Sequence, residues 1–463
     1  MRSARAKILH QLLGRPLFSY PMDRANELRA APVIAVLGHQ KAEVQAALAA
    51  RYGADKVRVV VQAEQRGTGH ALRLAMPALK GFQGFVLVLY GDVPLLRRET
   101  LADLVARSRR TGSLAVLIAR APDPTGYGRI VRDGAGNVVK VVEHKDASAE
   151  VRAINEVNAG IYAAPADFLR KATAGLSAKN AQGEYYLTDI IERAARSIGV
   201  VTVQGSWTEV SGVNDRRQLA ELEAALRERI NRDWMERGVT MRDPAGTVIE
   251  PDVELAADVE LGRSVALRGK TVVGAGTRIG DGCLLDNADV GQAVEIKPYC
   301  VVTDSVIGGG AKLGPFAHLR PGSVLGEDAH VGNFVETKKT RLGRGSKANH
   351  LTYLGDAIIG AGVNVGAGTI TCNYNGFEKL PTVIEDGAFI GSDTQLVAPV
   401  KVGKRAVVAA GTTVTEDVPA GALAISRVAQ ESRLGYADRI AQRYAKRDRP
   451  PARKSKDPAR SRR

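Results

Sequence analysis

The chain has 463 residues, enough for two or three domains that each bury a core, and its 44% hydrophobic content excludes a chain disordered throughout. Gly is frequent, at 49 copies, and aromatics are scarce, at 5%, a balance suited to thin repeated layers. The net charge of +15 invites a nucleic-acid reading, but eleven Lys or Arg against two Asp in residues 439–463 supply nine of those charges, so nucleic acid is not the expected partner.

Residues 1–214 alternate short apolar runs with helical segments. Val33–Leu37, Val57–Val61 and Phe85–Tyr90 read as strands, and 42–52 and 71–79 as helices. Continuous apolar strands between helices predict an α/β domain with a Rossmann-like, mostly parallel sheet. Ligands of such sheets bind beyond the carboxyl ends of the strands, and Gly91-Asp92 stands at one such end. Residues 215–238 carry Leu219, Leu222, Leu226 and Ile230 at helical spacing and predict a linking helix stopped by Gly238.

Residues 239–427 hold a repeat. Ile249, Leu255, Leu261, Leu267, Val273, Ile279 and Leu285 recur every six residues, and the phase restarts at Ile307 and again at Ile390. Each hexad makes one short strand and one corner, with the aliphatic residue turned inward. No single coil buries its own apolar side, so the coils must stack into a parallel β-helix. Residues 333–357 and 371–381 interrupt the phase, and interruptions of a solenoid are where a binding site is expected.

The remaining residues, 428–463, read as a basic, disordered tail. Cys283, Cys300 and Cys372 have no ligand or disulfide spacing, which excludes a zinc framework and suits a reducing, cytoplasmic location. No apolar run approaches ~18 residues, so no membrane span is expected. The basic start of the chain leads into no long apolar segment and does not read as a secretory signal.

Long motifs then stand in a fixed order: QAEQRGTGHA at 62–71, LYGDVPLL at 89–96, TGYGRIV at 125–131, VEHKD at 142–146, HLRPGSVL at 318–325, VGNFVETKK at 331–339, NHLTYLGDA at 349–357, GAGTITCNYNG at 366–376 and GSDTQLVAPV at 391–400. From Met1 to about Arg427 the chain resembles the bacterial bifunctional GlmU family. Its members join a UDP-N-acetylglucosamine pyrophosphorylase to a glucosamine-1-phosphate N-acetyltransferase. The resemblance implies a left-handed β-helix, acetyl-CoA and UTP as co-substrates, Mg²⁺, and a homotrimer with acetyl sites between subunits.

By residue type, His350 is a candidate base, because imidazole titrates near working pH; the resemblance makes it the proton acceptor of acetyl transfer. It further implies sugar-phosphate contacts at Arg320, Lys338, Tyr353 and Asn364. It implies an acetyl-CoA groove at Ala367, Asn373, Tyr374, Ser392, Ala410 and Arg427. In the first domain it implies metal ligands at Asp92 and Asn214. Nucleotide and sugar contacts fall at Lys7, Gln62, Gly67, Thr68, Tyr90, Gly91, Gly128, Glu143 and Asn158. The family opens with a strand and a Gly-rich loop, whereas Met1-Arg2-Ser3 matches the end of that loop and Ala6 replaces its usual Pro. Such a loop cradles the triphosphate, so a chain without it should lose most uridylyl transfer. Two explanations stay open, an upstream start or a chain kept for acetyl transfer alone, and the retained Lys7, Asp92, Glu143 and Asn214 favour the first. A non-catalytic sugar-nucleotide scaffold is the rival reading.

Overall fold

The computed structural model of the chain describes residues 1–445. Its first unit contains β1 (Val33–Leu37), α1 (Lys41–Tyr52), β2 (Val57–Val61), α2 (Thr68–Ala75), β3 (Phe85–Val88), α3 (Arg98–Thr111) and β4 (Leu114–Arg120). Strands β5 (Arg129–Arg132), β6 (Val138–Val142), β7 (Glu156–Pro165) and β8 (Val200–Gln204) follow. β1 and β2 pair in parallel. The larger sheet runs β8-β4-β7-β5-β6, with β3 also on β7. Residues Leu114–Ala119 of β4 and Val157–Ala164 of β7 are buried throughout, as strands covered on both faces must be.

This sheet is mixed, where a mostly parallel one was expected. Only β8–β4 is parallel; β7 runs antiparallel to β3, β4 and β5, and β5–β6 is a hairpin. The hairpin's reversal is local chemistry. Asp133 Oδ1 accepts from the backbone N–H of Ala135 at 3.0 Å and of Asn137 at 2.8 Å, closing the turn without a crossover helix.

Helix α4 (Arg216–Glu236) begins where Asp215 accepts from Gln218 N–H at 2.8 Å. Its Leu222 and Leu226, one turn apart, are buried against Leu12, Leu17 and Val213. At its far end the buried Asn231 amide donates to the carbonyls of Pro244 and Thr247, at 2.7 and 2.9 Å, which ties it to the first coil of the β-helix.

The β-helix is built from strands mostly two or three residues long. Leu267, Leu285, Val302 and Leu319 pair in succession and are fully buried, forming one inward column. Each such side chain contributes about 1.5–3 kcal/mol by leaving water, which strands this short cannot supply from their own ladders. One face carries nine parallel strands in sequence order, from Glu254–Leu255 to Val400–Val402.

The two interruptions behave differently. Residues 371–381 do leave the stack: Ile370 pairs with Gln395, 25 residues on, whereas Tyr353 pairs with Ile370, 17 residues on. Residues 333–357 stay in it, contrary to expectation. They hold most of β9 (His330–Lys338) and β10 (Lys347–Gly355), the longest strands of the β-helix, paired in parallel along their length. Their corners carry Phe334 and Leu351 in the left-handed region, at φ 56° and 47°, so bulky residues hide the hexad phase without breaking the coil.

Residues Tyr436–Ala445 form a helix, α5, within the segment expected to be disordered. The rest of the basic tail, 446–463, lies outside the described residues. No helix among the described residues is long and apolar enough to cross a membrane.

Candidate active sites

The β9–β10 register places Asn333 opposite His350, and Asn333 Oδ1 lies 2.7 Å from His350 Nδ1. His350 is exposed on a prism edge. Its own carbonyl accepts from Thr352 Oγ1 at 2.7 Å, which holds the backbone beneath the ring.

Below it runs a column of small residues. Ala348 pairs with Val365, Val365 with Ile390, and Ile390 with Val408. Carried on by two residues, these registers stack Ala367 under His350, then Ser392, then Ala410. With coils ~4.8 Å apart, the stripe runs ~14 Å from the imidazole. A Cβ on Gly366 would lie 2.5 Å from Ser392 N, and one on Gly391 2.4 Å from Ala410 N, so the coils close tightly beside the stripe. The exposed Arg427 side chain flanks Gly411 at its lower end.

Residues 373–381 project from the next corner of the coil, that of Asp356. Asn373 is buried and its amide donates to Asp356 Oδ2 at 2.6 Å, so this side chain anchors the projection. Tyr374 is exposed and donates to Gly376 O at 2.7 Å. Asn364 and Tyr353 are half-buried on neighbouring coils. Arg320 pairs with Glu336 at 2.7 Å. Lys338 lies against Lys379, whose charge holds the Lys338 ammonium below its ordinary pKa, with Arg320 adding to the effect. Lys379 and Asn333 escaped the reading of the sequence. Lys379 is a lysine in the one insertion that leaves the stack. Asn333 stands 17 residues, one coil, before His350, so the coil period alone would have paired them.

In the first unit, Lys7 Nζ sits 2.5 Å from Asp92 Oδ2 and 3.2 Å from Asn214 Oδ1, which brings the three together beyond β3. Gly91 packs against Ile8 at the same strand end. Gln62 donates to Gly67 O at 3.1 Å, and Gly67, at φ 98°, passes so close to Tyr185 that a Cβ would lie 2.7 Å from its carbonyl. Thr68 lies beside Tyr90, whose phenol is pushed up to about 12 by burial. A second cluster faces it. Gly128 O accepts from Asn158 N–H at 2.9 Å, and Asn158 donates to the buried Tyr162 hydroxyl at 2.7 Å. Glu143 lies beside Gly128 and accepts from Thr188 Oγ1 at 2.9 Å. Burial raises the Glu143 carboxyl above its ordinary pKa, and the Thr188 bond only partly offsets this. Gly160 joins the clusters, since any Cβ there would strike the Tyr90 ring.

A mixed-sheet domain that gathers Lys7, Asp92 and Asn214 beyond one strand end, joined to a hexapeptide β-helix with an edge-mounted imidazole, has the build of a nucleotidyltransferase fused to an acyltransferase. Residues 2–217 match the nucleotidyl transferase family, 246–342 the GMPPB C-terminal domain and 381–416 the bacterial transferase hexapeptide family. The bifunctional protein GlmU of Sorangium cellulosum is 51% identical over 449 residues, covering 95% of this chain and 94% of its own. That of Anaeromyxobacter sp. is 51% identical over 439 residues (95% and 90%), and that of Pelobacter propionicus 48% over 444 (95% and 96%). The chain belongs to the bifunctional GlmU family. It is therefore a glucosamine-1-phosphate N-acetyltransferase and a UDP-N-acetylglucosamine pyrophosphorylase, and its β-helix is the left-handed hexapeptide type.

Proposed function

We propose that His350 is the base of acetyl transfer and that the Ala367–Ser392–Ala410 stripe, ending at Arg427, seats acetyl-CoA. The amine of glucosamine 1-phosphate is largely ammonium near neutral pH and must lose a proton before it attacks. His350 takes that proton, the amine nitrogen bonds to the acetyl carbon, and the carbon–sulfur bond breaks. That proton then passes to the departing thiolate, and the second proton that the nitrogen sheds in becoming an amide goes to solvent. Arg320, Lys338 and Lys379 hold the sugar phosphate, with Tyr353 and Asn364 on the sugar. Lys338 crowded against Lys379 supports this reading, since two ammonium groups side by side are relieved by an anion between them. The observation that carries the proposal is the exposed imidazole at the head of the small-residue stripe.

Uridylyl transfer belongs to the first unit, with Gln62, Gly67 and Thr68 on the uracil side. Tyr90, Gly128, Glu143 and Asn158 form the sugar pocket. Asp92 and Asn214 turn oxygens toward one cation, the Lys7 ammonium, and so fit Mg²⁺, a hard ion commonly held by one or two carboxylates with substrate phosphates. The ion would neutralise phosphate charge there, and Lys7 then bears on the phosphates themselves.

The acting form is a homotrimer in the cytoplasm. Tyr299, Phe316 and Phe334 stack along one prism edge, with centroids 5.2 and 5.4 Å apart, and all three are exposed. All three, and Leu351 beyond them, hold positive φ. Asp258, Asp328 and Lys339 hold the same conformation at other corners, so it belongs to the coil, and the case for a neighbouring copy rests on the column of exposed apolar side chains. The test assays both half-reactions on one preparation. His350→Ala should lose acetyl transfer by about 10²–10⁴-fold and keep uridylyl transfer. Equal loss of both would refute the assignment.

A further inference from the structure

Asn333 has no part in the site as assigned above. Yet its Oδ1 is 2.7 Å from His350 Nδ1, across one rung of the β9–β10 ladder. The rung is unusually close. A Cβ on Gly332 would lie 1.9 Å from Asn349 O, an approach only glycine permits, and it draws the two coils together next to the pair.

An amide oxygen accepts and cannot donate. The ring nitrogen facing it must therefore carry the proton, and the lone pair is left on Nε2. We infer that Asn333 is a positioning residue that fixes the neutral His350 ring in its Nδ1–H form, so that Nε2 faces the sugar amine as a ready base. Unconstrained neutral histidine in water favours the opposite form, with the proton on Nε2. A ring in that form would point an N–H at the amine and could not take its proton. An amide also does this without the negative charge of a carboxylate, so it orients the ring without holding a proton on it.

The inference rests on His350 being the base. It is tested on the full chain, ¹⁵N-labelled at its seven histidines. Solid-state ¹⁵N spectra are recorded at a pH where the rings are neutral, and the His350 signals are assigned by their absence in His350→Gln. The wild-type ring should show Nδ1–H. In Asn333→Leu the signal should move toward Nε2–H. The kcat of acetyl transfer should fall about 10–100-fold, with both KM values little changed. Asn333→Asp, which still accepts from Nδ1, should restore the Nδ1–H signal and most of kcat.

A wild-type ring with its proton on Nε2 would overturn the inference, whatever the Leu variant does. So would Asn333→Leu with unchanged kcat. If His350→Ala itself keeps acetyl transfer, the reading of the base has failed. If only the Asn333 results fail, that reading stands and this inference falls.

Discussion

The Lys7 ammonium lies 2.5 Å from the carboxylate of Asp92 and bridges it to the Asn214 amide oxygen. The lysine thus holds together the two groups proposed to bind Mg²⁺. A divalent ion between the same oxygens repels the ammonium, which must turn to other negative charge, and the nucleotide phosphates supply it. Lys7→Met should therefore separate two affinities. Mn²⁺ binding to the nucleotide-free protein, read by electron paramagnetic resonance, should tighten. Binding of UTP should weaken by roughly 10-fold, the scale of one lost charge-assisted contact. Acetyl transfer should not change. Mn²⁺ binding weakened by the substitution would contradict the proposal.

Glu143 gives a pH-dependent prediction. Burial raises its carboxyl pKa above the ordinary 4.5, so the folded chain holds that proton more tightly than the unfolded one. The folded state then binds more protons across the window from about 4.5 upward to the raised value, and stability falls as pH rises through it. The contribution is fully present below the ordinary carboxylate range and is lost above the raised pKa. Glu143→Gln removes the buried charge and can still accept from Thr188. Its first domain should melt higher than wild type at pH 7.5, by about 2–4 °C for each kcal/mol regained. The gain should vanish near pH 4. Sugar-nucleotide binding should weaken at neutral pH. A melting difference independent of pH would mean that the carboxylate charge is not the cause.

Much of the fold was written in periods. The six-residue recurrence of Ile249, Leu255 and Leu261 prescribes stacked coils, because an inward residue every hexad admits no ordinary sheet. The mixed first sheet was not legible. Its apolar runs satisfy parallel and antiparallel pairing equally; Asp133 closes the β5–β6 hairpin through two side-chain bonds, but no such local signal marks the reversed direction of β7. The corners at Phe334 and Leu351 were misread for a related reason. Side chains that normally avoid positive φ mask a coil that the ladder nonetheless continues. Among site residues, resemblance pointed to His350 and to the residues of its stripe. Asn333 and Lys379 matter through what they touch, and contact between coils is visible only when the coil length is counted.

Lys379 is open to a direct test. Its charge depresses the neighbouring Lys338, and it sits on the projection where it bridges to Tyr374. Lys379→Ala should raise KM for glucosamine 1-phosphate by roughly 10-fold and leave KM for acetyl-CoA within error. It should also move the alkaline fall in sugar-phosphate affinity to higher pH, because Lys338 then keeps its proton longer. Steady-state acetyl transfer from pH 7 to 10 measures both effects. An unchanged KM would remove Lys379 from the phosphate site.

The aromatic edge makes the last prediction. Phe316 stacks between Tyr299 and Phe334, within 10° of parallel to each, and is 47% exposed in a single chain. Its φ of 56° is a conformation that a bulky side chain keeps only when its surroundings enforce it. Phe316→Asp places a charge in the ladder two coils from His350 while leaving the imidazole, the stripe and the first domain untouched. Sedimentation should then report monomers where the wild type gives trimers. Acetyl transfer should fall with the trimer fraction and recover at high protein concentration, while uridylyl transfer stays constant per chain. If Phe316→Asp stays trimeric with full acetyl transfer, the ladder is not the contact, and the copies must meet on another edge.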